Sequence, residues 1–151
     1  MKVVILCGGF GTRLKEETEI KPKPMVEIGG KPILWHIMKN YAHYGFNKFV
    51  LALGYKGEYI KNFFYHYRIT CNDFTITLNP TDAPKIHSVS DDNFGEITCV
   101  NTGEKTLKGG RIKRLAPHIA GKYFQRTLSM ADFSFSKKNF GLSVAGGKLR
   151  L

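Results

Sequence analysis

K-V-V-I-L-C-G-G-F-G-T-R, residues Lys2 to Arg13, is the stretch that decides the fold class of this 151-residue chain. Its first half is a continuous apolar run, which is typical of a strand buried on both faces of a parallel sheet. The glycines that follow cannot belong to a regular element, and they let the backbone N–H groups converge on a ligand. Thr12 adds a hydroxyl donor, and Arg13 adds a planar cation that can hold two phosphate oxygens. The stretch therefore predicts a strand followed by a phosphate-binding turn.

Two familiar phosphate-binding loops differ from this turn. A Walker A loop requires Gly-Lys-Ser or Gly-Lys-Thr at a set distance, and neither follows here. The dinucleotide fingerprint requires a third glycine where this stretch has none. The loop by itself leaves two interpretations open, a phosphate-binding turn and a plain glycine-rich turn.

Strand and helix patterns alternate in the first half of the chain. Residues 48–53 (K-F-V-L-A-L) predict a second buried strand. Apolar residues at helical spacing predict one helix from Pro32 to Gly45 and another over residues 58–67. This alternation predicts an α/β fold with a parallel sheet and with ligands at the carboxyl ends of the strands.

The pattern changes after Asp73. Residues 74–78 and 96–100 predict two strands, and a polar loop over residues 79–95 joins them. Two glycines, Gly109 and Gly110, then lead into the basic segment 111–115, which could begin a helix.

The charge is the most unusual feature of the composition, because 23 Lys and Arg against 12 Asp and Glu give a net +11. Such an excess suits an anionic partner, either a phosphate-bearing small molecule or a nucleic acid, although it also serves solubility. The aromatic residues that would favour nucleic acid have helical spacing, so core packing explains most of them, and we predict no nucleic-acid binding. These aromatic residues are Phe63, Phe64, Tyr65 and Tyr67.

The length of 151 residues indicates one ordinary domain. No apolar run approaches the roughly 18 residues of a membrane span, and the first residues resemble a strand, so we expect neither a membrane segment nor a signal peptide. Cys7, Cys71 and Cys99 are odd in number and far apart, which disfavours a disulfide framework and a zinc ribbon. We therefore expect a cytoplasmic protein.

A stiff basic segment follows the glycine turn. In Lys21-Pro22-Lys23-Pro24 each proline restricts its own backbone and the residue before it, so both lysines lie on an extended segment. Such a segment can direct an ammonium group with little ordering cost on binding. By itself it would be interpreted as a solvated loop, but its closeness to Arg13 favours a shared site.

Together these motifs resemble the sugar-phosphate nucleotidyltransferases. The resemblance rests on Gly8-Gly9-x-Gly11-Thr12-Arg13-Leu14, Lys21-Pro22-Lys23-Pro24-Met25 and Gly30-Lys31-Pro32-Ile33. Further segments resemble the glucose-1-phosphate cytidylyltransferases within that family. They are residues 25–39, Gly54-Tyr55-Lys56-Gly57 and Asn101-Thr102-Gly103 with Gly109-Gly110-Arg111. The resemblance runs from residue 1 to about residue 123.

The resemblance implies both a fold and an activity. The implied fold is α/β, a Rossmann-like, mixed but mainly parallel sheet flanked by helices, of the nucleotide-diphospho-sugar transferase type. The implied enzyme joins CTP and α-D-glucose 1-phosphate into CDP-glucose and pyrophosphate for polysaccharide biosynthesis. A nucleotidyltransferase for another nucleoside triphosphate or sugar phosphate, and a non-catalytic nucleotide-binding fragment, remain open alternatives. A homo-oligomer is compatible with the sequence.

The resemblance also implies residue roles. Arg13 would sit on the triphosphate, and Lys23 would bridge the reacting phosphates, which makes these two the catalytic candidates. For Thr106 a turn role, and for Arg111 a solvated cation, are the alternatives to substrate contact. The implied substrate-binding residues are Leu6, Cys7, Gly8, Gly9, Phe10, Gly11, Thr12, Arg13, Lys23, Thr106 and Arg111.

Mg²⁺ is the cofactor that the resemblance implies. The family holds it with a Tyr-Gly-Asp-Gly segment just after the position that Phe124 occupies. Residues 125–133 read Q-R-T-L-S-M-A-D-F instead, so the usual ligand is not found. Asp132 is the carboxylate of this segment, and we interpret it as a solvated surface residue. No metal ligand is predicted.

The segment from Phe124 onward differs in kind from the rest of the chain. Its serines and phenylalanines give neither a clean alternation nor a helical face, and no element is predicted there. We therefore divide the chain into a nucleotide-binding part, residues 1–123, and an atypical tail, residues 124–151. Our hypothesis is that a frameshift or a spurious join produced the tail. A sheet incomplete at its C-terminal side and weak or absent catalysis are then expected.

Overall fold

The computed structural model describes residues 2–9, 21–79, 81–87, 92 and 94–119, together with the backbone of residues 124–129. Within these residues a short 3₁₀ turn covers Lys23–Met25. The strands are β1 (Lys2–Leu6), β2 (Glu27–Ile28), β3 (Lys31–Pro32), β4 (Lys48–Leu53), β5 (Phe74–Thr75), β6 (Lys85–Ile86), β7 (Glu96–Asn101) and β8 (Phe124–Ser129). The helices are α1 (Ile33–His43), α2 (Gly57–Thr70), α3 (Lys108–Arg114) and α4 (Ala116–Ile119).

A four-stranded parallel sheet forms the centre of the fold. Its strand order is β7-β4-β1-β8, and every neighbouring pair is parallel. Strands β1 and β4 lie in the middle, which explains why both are nearly continuous apolar runs. The predicted α/β fold with a mainly parallel sheet between helices is therefore confirmed.

Each face of the sheet has its own core. On one face Ile5 and Leu51 pack with residues of α1 and α2, including Leu34 and Ile60. On the other face Val4 packs with Val50, Ala52 and Leu115, and Leu115 follows α3 directly. Alternate residues of β1 thus enter opposite cores, as the pleat requires.

Helices α1 and α2 confirm the two helices that apolar spacing predicts. Pro32 precedes α1 in an extended conformation, and Gly45 follows it at a φ of 82°, a left-handed conformation that favours glycine. Helix α2 begins at Gly57 and continues to Thr70, three residues past the predicted end. Its aromatic residues Phe63 and Phe64 pack against the core, as predicted. Tyr67 is half-buried with its ring against Phe63, whereas Tyr65 is 83% exposed.

Helix α3 starts earlier than the sequence indicates. It includes both Gly109 and Gly110, which the sequence places before the element. Glycine inside a helix is unfavourable by about 1 kcal/mol relative to alanine. Tertiary contacts outweigh this cost, because Arg111 and Leu115 are both buried against the sheet.

The segment between α2 and β7 contains a strand that the sequence did not predict. Only Phe74–Thr75 of the predicted strand 74–78 is a strand, and it pairs antiparallel with β6. Strand β6 lies inside the segment predicted as a loop. Ile76 and Leu78 are exposed, which explains why apolar content alone overestimates the length of β5.

Residues 124–129 also differ from expectation, because their backbone forms strand β8. The strand runs parallel to β1, with Val4 paired to Thr127 and Leu6 paired to Ser129. Main-chain groups on the second edge of a buried strand need partners, and backbone pairing supplies them whatever the side-chain pattern. The absence of an element at 124–129 was therefore a wrong prediction. The division at residue 123 stays a prediction, and Asp132 lies outside the described residues.

None of the helices in the described part of the chain is long and apolar enough to cross a membrane.

Candidate functional site

The glycine turn begins where β1 ends, at the carboxyl edge of the sheet. The N–H of Cys7 donates to the carbonyl of Ala52 at 2.9 Å, so β1 stays paired with β4 up to the turn. Gly8 is buried and Gly9 is exposed. The side chains of Leu6 and Cys7 belong to the two opposite cores. These two predicted binding residues can therefore meet a ligand only through their main chain.

A buried guanidinium lies directly beneath this turn. Arg111 is 5% exposed. Its Nη2 donates to the carbonyl of Gly8 at 2.8 Å and to the carbonyl of Glu104 at 2.9 Å. Its Nη1 donates to the carbonyl of Leu53 at 3.0 Å and to the hydroxyl of Thr102 at 2.7 Å. One side chain thus joins the carboxyl ends of β1, β4 and β7.

The residues around the guanidinium are two glycines, which leave space for it, and a threonine, which accepts a hydrogen bond from it. A Cβ on Gly8 would collide with the guanidinium, and a Cβ on Gly54 would lie 2.6 Å from Nη1 and 2.8 Å from the Cα of Gly8. Thr102 is fully buried, and its hydroxyl donates to the carbonyl of Leu53 at 2.6 Å. The glycines after β1 and β4 therefore leave the space that Arg111 fills.

The charge of Arg111 faces neutral oxygen atoms. Among the described residues no carboxylate lies within ion-pair distance of it. Burial lowers the pKa of the Arg111 guanidinium, and the nearby Arg114 lowers that pKa further. An arginine remains protonated at neutral pH despite such a shift. The carboxyl edge of the sheet therefore contains a buried positive charge.

Thr106 lies beside the same edge. The Nη1 of Arg114 donates to the Thr106 hydroxyl at 3.0 Å and to the carbonyl of Thr102 at 2.6 Å. Gly103 has a φ of 85°, and a Cβ there would lie 2.7 Å from Nη1 of Arg114. Thr106 is half-buried in this bend. Its contact with substrate stays a prediction.

Lys23 lies in the 3₁₀ turn, which contacts α1 and α2. Pro22 is extended, with φ −67° and ψ 148°, and its carbonyl accepts the N–H of Met25 at 2.7 Å. Pro24 and Met25 are buried, and Met25 belongs to the same core as Cys7. Lys23 is half-buried on this anchored turn. The prediction that Lys23 lies on an extended segment is wrong, because residues 23–25 form a 3₁₀ turn and the extended conformation stops at Pro22. Lys21 instead forms an exposed ion pair with Glu27 at 2.6 Å.

The structure brings some of the predicted residues together and leaves others undescribed. Gly8 and Arg111 are in direct contact, and Thr106 is linked to the same strand ends through Arg114. Phe10, Gly11, Thr12 and Arg13 lie outside the described residues. The alternative that Arg111 is a solvated cation is wrong, because the side chain is buried.

Three residues of this arrangement, Gly54, Thr102 and Arg114, were given no site role from the sequence, although Gly54 and Thr102 lie in segments that carry the resemblance. The available signal was that a glycine follows each of the two central buried strands, at Gly8 and at Gly54. Close approach of backbone to a neighbouring group is a common reason for such glycines.

The described residues do not form a ready cation site. No three His, Cys, Asp or Glu side chains among them are grouped so that they could hold a metal ion. Two guanidinium groups, those of Arg111 and Arg114, lie at the carboxyl edge, which suits an anion. We therefore derive no chemical step through Mg²⁺.

A separate open cavity of about 1100 Å³ lies between α2 and β7. It is lined by basic and aromatic side chains, among them Lys61, Arg68 and Tyr65. None of the predicted nucleotide-binding residues that the structure describes lines it.

A parallel sheet between helices, with a glycine turn at the carboxyl ends of its strands, is the architecture of the nucleotide-binding α/β class. The chain belongs to the nucleotidyl transferase family, whose pattern it matches over residues 2–112.

All three cysteines are free, as expected for this chain.

Two curated relatives are similar over most of the chain. The chain is 48% identical over 119 residues to the glucose-1-phosphate cytidylyltransferase of Salmonella typhimurium, covering 79% of the chain and 46% of that protein. It is 46% identical over 127 residues to the probable glucose-1-phosphate cytidylyltransferase of Bacillus subtilis, covering 84% of the chain and 49% of that protein. The chain thus spans about half the length of the curated relatives it matches.

A solved structure agrees with the fold. The crystal structure of HddC from Yersinia pseudotuberculosis complexed with GMP-PN matches with a TM-score of 0.52 and 32% sequence identity. The match covers 80% of this chain and 43% of that chain.

Proposed function

We propose that this chain is the nucleotide-binding part of a glucose-1-phosphate cytidylyltransferase and that it binds CTP at the Gly8–Gly9 turn. The observation that carries the proposal is the exposed Gly9 at the carboxyl edge of the sheet, above a buried guanidinium. The identity of 46–48% to two cytidylyltransferases supports the choice of CTP and glucose 1-phosphate.

The proposed reaction needs little acid–base chemistry. The phosphate oxygen of glucose 1-phosphate is already anionic at neutral pH and attacks the α-phosphorus of CTP. The bond from this phosphorus to the bridging oxygen breaks, and pyrophosphate leaves with the electron pair. The protein must therefore align two polyanions and neutralise the charge of the leaving group.

Different residues of this chain would align the two substrates and neutralise the charge. Main-chain N–H groups at the glycine turn bind phosphate oxygens, and Arg13 holds the triphosphate. Lys23, on its anchored turn, places an ammonium group between the reacting phosphates. Loss of one such preorganised contact typically slows the reaction by about 10²–10³.

Mg²⁺ remains part of the proposal as a cofactor that the nucleotide phosphates would bring. Bound to the nucleotide phosphates, it would neutralise part of their charge, and no described residue of this chain is assigned as its ligand. The Tyr-Gly-Asp-Gly segment of the family is missing from the sequence. We therefore expect nucleotide binding by the 151-residue chain with little turnover.

A second candidate is a nucleotidyltransferase for another base. HddC, which is similar in structure and 32% identical, is complexed with GMP-PN in its crystal structure. A turn that binds phosphates cannot by itself distinguish CTP from GTP, because both nucleotides carry the same triphosphate. The test must therefore compare both nucleotides.

Isothermal titration calorimetry on the purified chain with CTP, GTP, UTP and ATP, each with Mg²⁺, tests binding. We expect heat of binding, with CTP the tightest. Arg13→Met should weaken CTP binding, whereas the matched change Arg68→Met, at an exposed position of α2, should not. Tightest binding of GTP would favour the second candidate. No heat with any of the four would overturn the nucleotide-binding proposal.

Turnover is measured separately. CDP-glucose formed from CTP, glucose 1-phosphate and Mg²⁺ is quantified by chromatography, with and without Lys23→Gln. Product at ordinary enzyme rates would overturn the expectation of little turnover and would support the assignment of the full reaction. Binding without product agrees with a non-catalytic nucleotide-binding fragment.

A further inference from the structure

We infer that Arg111 is a positioning residue, which acts on the nucleotide by orienting the Gly8–Gly9 peptide and not by touching a phosphate. This inference rests on the proposed function, because it assumes that the glycine turn binds the nucleotide. It differs from the role that the family resemblance implies for Arg111, which is contact with substrate.

The position of the guanidinium is the first argument. Both of its terminal nitrogens are engaged with the protein, in four hydrogen bonds of 2.7–3.0 Å. Three of the acceptors are main-chain carbonyls that follow or end different strands, and the fourth is the hydroxyl of Thr102. At 5% exposure, the side chain lies behind the turn and not in front of it.

The geometry of the peptide unit is the second argument. The described chain contains no cis peptide bond, so the unit between Gly8 and Gly9 is trans. In a trans peptide the carbonyl and the N–H point to opposite sides. Because the Gly8 carbonyl points to Arg111, the Gly9 N–H points away from it, toward the exposed side. Arg111 therefore sets the direction of a donor that the nucleotide would meet.

Arg111 also orients a peptide unit that follows β7. Nη2 also holds the carbonyl of Glu104, so the N–H of Lys105 points away from the guanidinium. One nitrogen thus orients two peptide units from segments far apart in the chain. A lysine has no planar fork and could not hold these oxygens in the same geometry.

The uncompensated charge is the third argument. A buried cation with no carboxylate nearby is unfavourable unless its hydrogen bonds and an external anion offset the cost. Arg111 has such hydrogen bonds, and no ion pair to it exists within the described residues. A triphosphate on the outer side of the Gly8–Gly9 peptide would be the compensating anion.

Nuclear magnetic resonance of the ligand-free chain, labelled with ¹⁵N-glycine, shows whether the environment of the Gly9 amide depends on Arg111. The chain has 16 glycines, and loss of one signal in Gly9→Ala assigns Gly9. Arg111→Lys should displace the Gly9 amide signal while the signal of Gly45, in a distant turn, stays in place. The same variant should weaken CTP binding by about tenfold or more, since hydrogen bonds to charged groups contribute on this scale. Arg68→Lys, the matched change at an exposed site, should do neither.

Each outcome decides between positioning and contact. A displaced Gly9 signal together with weaker CTP binding, at a melting temperature that shows a folded variant, supports the inference. An unmoved Gly9 signal overturns it, and weaker binding in that case would indicate direct contact. A displaced signal with unchanged affinity also overturns it. If wild-type chain binds no nucleoside triphosphate, the proposed function fails, whereas the Gly9 signal still decides whether Arg111 orients the turn.

A milder pair of variants covers the case in which Arg111→Lys does not fold. Thr102→Val removes the hydroxyl that accepts from Nη1, and Thr102→Ser keeps it. The Gly9 signal and CTP affinity should change in the valine variant and recover in the serine variant. Equal behaviour of the two would contradict the inference.

Discussion

The guanidinium of Arg111 donates a 2.8 Å hydrogen bond to the carbonyl oxygen of Gly8, across 103 positions of sequence. Because this contact closes the carboxyl edge of the sheet, the packing of the glycine turn depends on a helix that begins 100 residues later, at Lys108. Four expectations concern this contact, the Thr102 hydroxyl, the Tyr67 hydroxyl and the Cys7 thiol.

Gly8→Ala should destabilise the fold by about 1–3 kcal/mol, the usual cost of overpacking. The added Cβ collides with the guanidinium of Arg111, whereas a Cβ on Gly9 meets no atom of the described residues within 4 Å. Gly9→Ala is therefore the matched control and should change the free energy of unfolding much less. Urea unfolding measures both. In a background of Arg111→Ala the cost of Gly8→Ala should shrink, and purely additive costs would contradict the steric explanation.

Thr102→Val should lower the free energy of unfolding by about 1–3 kcal/mol, because a buried donor on Arg111 loses its acceptor. The Thr102 hydroxyl accepts from Nη1 at 2.7 Å and donates to Leu53 at 2.6 Å. Thr98→Val, on the same strand, removes a hydroxyl that makes no described side-chain hydrogen bond and should change stability by less than about 0.5 kcal/mol. Equal losses in the two variants would show that the Thr102 network contributes nothing specific.

Tyr67→Phe should cost about 1–3 kcal/mol and should alter the pH dependence of stability. The Tyr67 hydroxyl donates to Asp92 and accepts from the Trp35 indole N–H at 2.6 Å. Burial raises the pKa of Tyr67, and the hydrogen bond to Asp92 raises it further. The folded chain therefore binds this proton more tightly than the unfolded chain does.

The sign of the pH effect follows from that difference. The contribution of Tyr67 is complete below about pH 10, the usual tyrosine pKa, and is lost as the pH rises above it. Between about pH 9 and about pH 11, the free energy of unfolding should fall more steeply in wild type than in Tyr67→Phe. Tyr65→Phe, at an exposed position two residues earlier on α2, should behave as wild type. Parallel curves for wild type and Tyr67→Phe would contradict this account.

Cys7 should resist alkylation until the chain unfolds. Burial raises the pKa of the Cys7 thiol, and Cys99 raises it further, although Arg111 acts in the opposite direction. Since only a thiolate reacts, iodoacetamide at about pH 8 should modify Cys7 more than about tenfold faster in urea than in buffer. Peptide mass spectrometry distinguishes it from the half-buried Cys71, which serves as the internal reference. Alkylation of both at the same rate in buffer would contradict the buried position of Cys7.

The first half of the fold could be predicted from local patterns. Strand β4 lies where its apolar run predicts it, and α1 and α2 follow their helical spacing to within a few residues. These elements carry their signal in their own residues, because a buried strand is apolar throughout and a helix packed on a sheet has one apolar face.

The second half could not be predicted so well. Strands β6 and β8 exist because their backbones pair with β5 and β1, and such pairing leaves little trace in the side chains. Helix α3 contains two glycines and four basic residues, so its local pattern resembles a solvated loop. Burial of Arg111 and Leu115 overrides that local preference.

The candidate site, like the fold, has features that local sequence predicts and features that it does not. The amino-acid sequence alone determined that a glycine turn follows a buried strand and that Lys23 lies on a proline-restricted segment, since both depend on neighbours in the chain. Only the tertiary structure decided that Arg111 lies beneath Gly8 and that Thr102 and Gly54 complete its surroundings. A hydrogen bond between residues 103 positions apart depends on how three strands and a helix pack, and no local pattern encodes that distance.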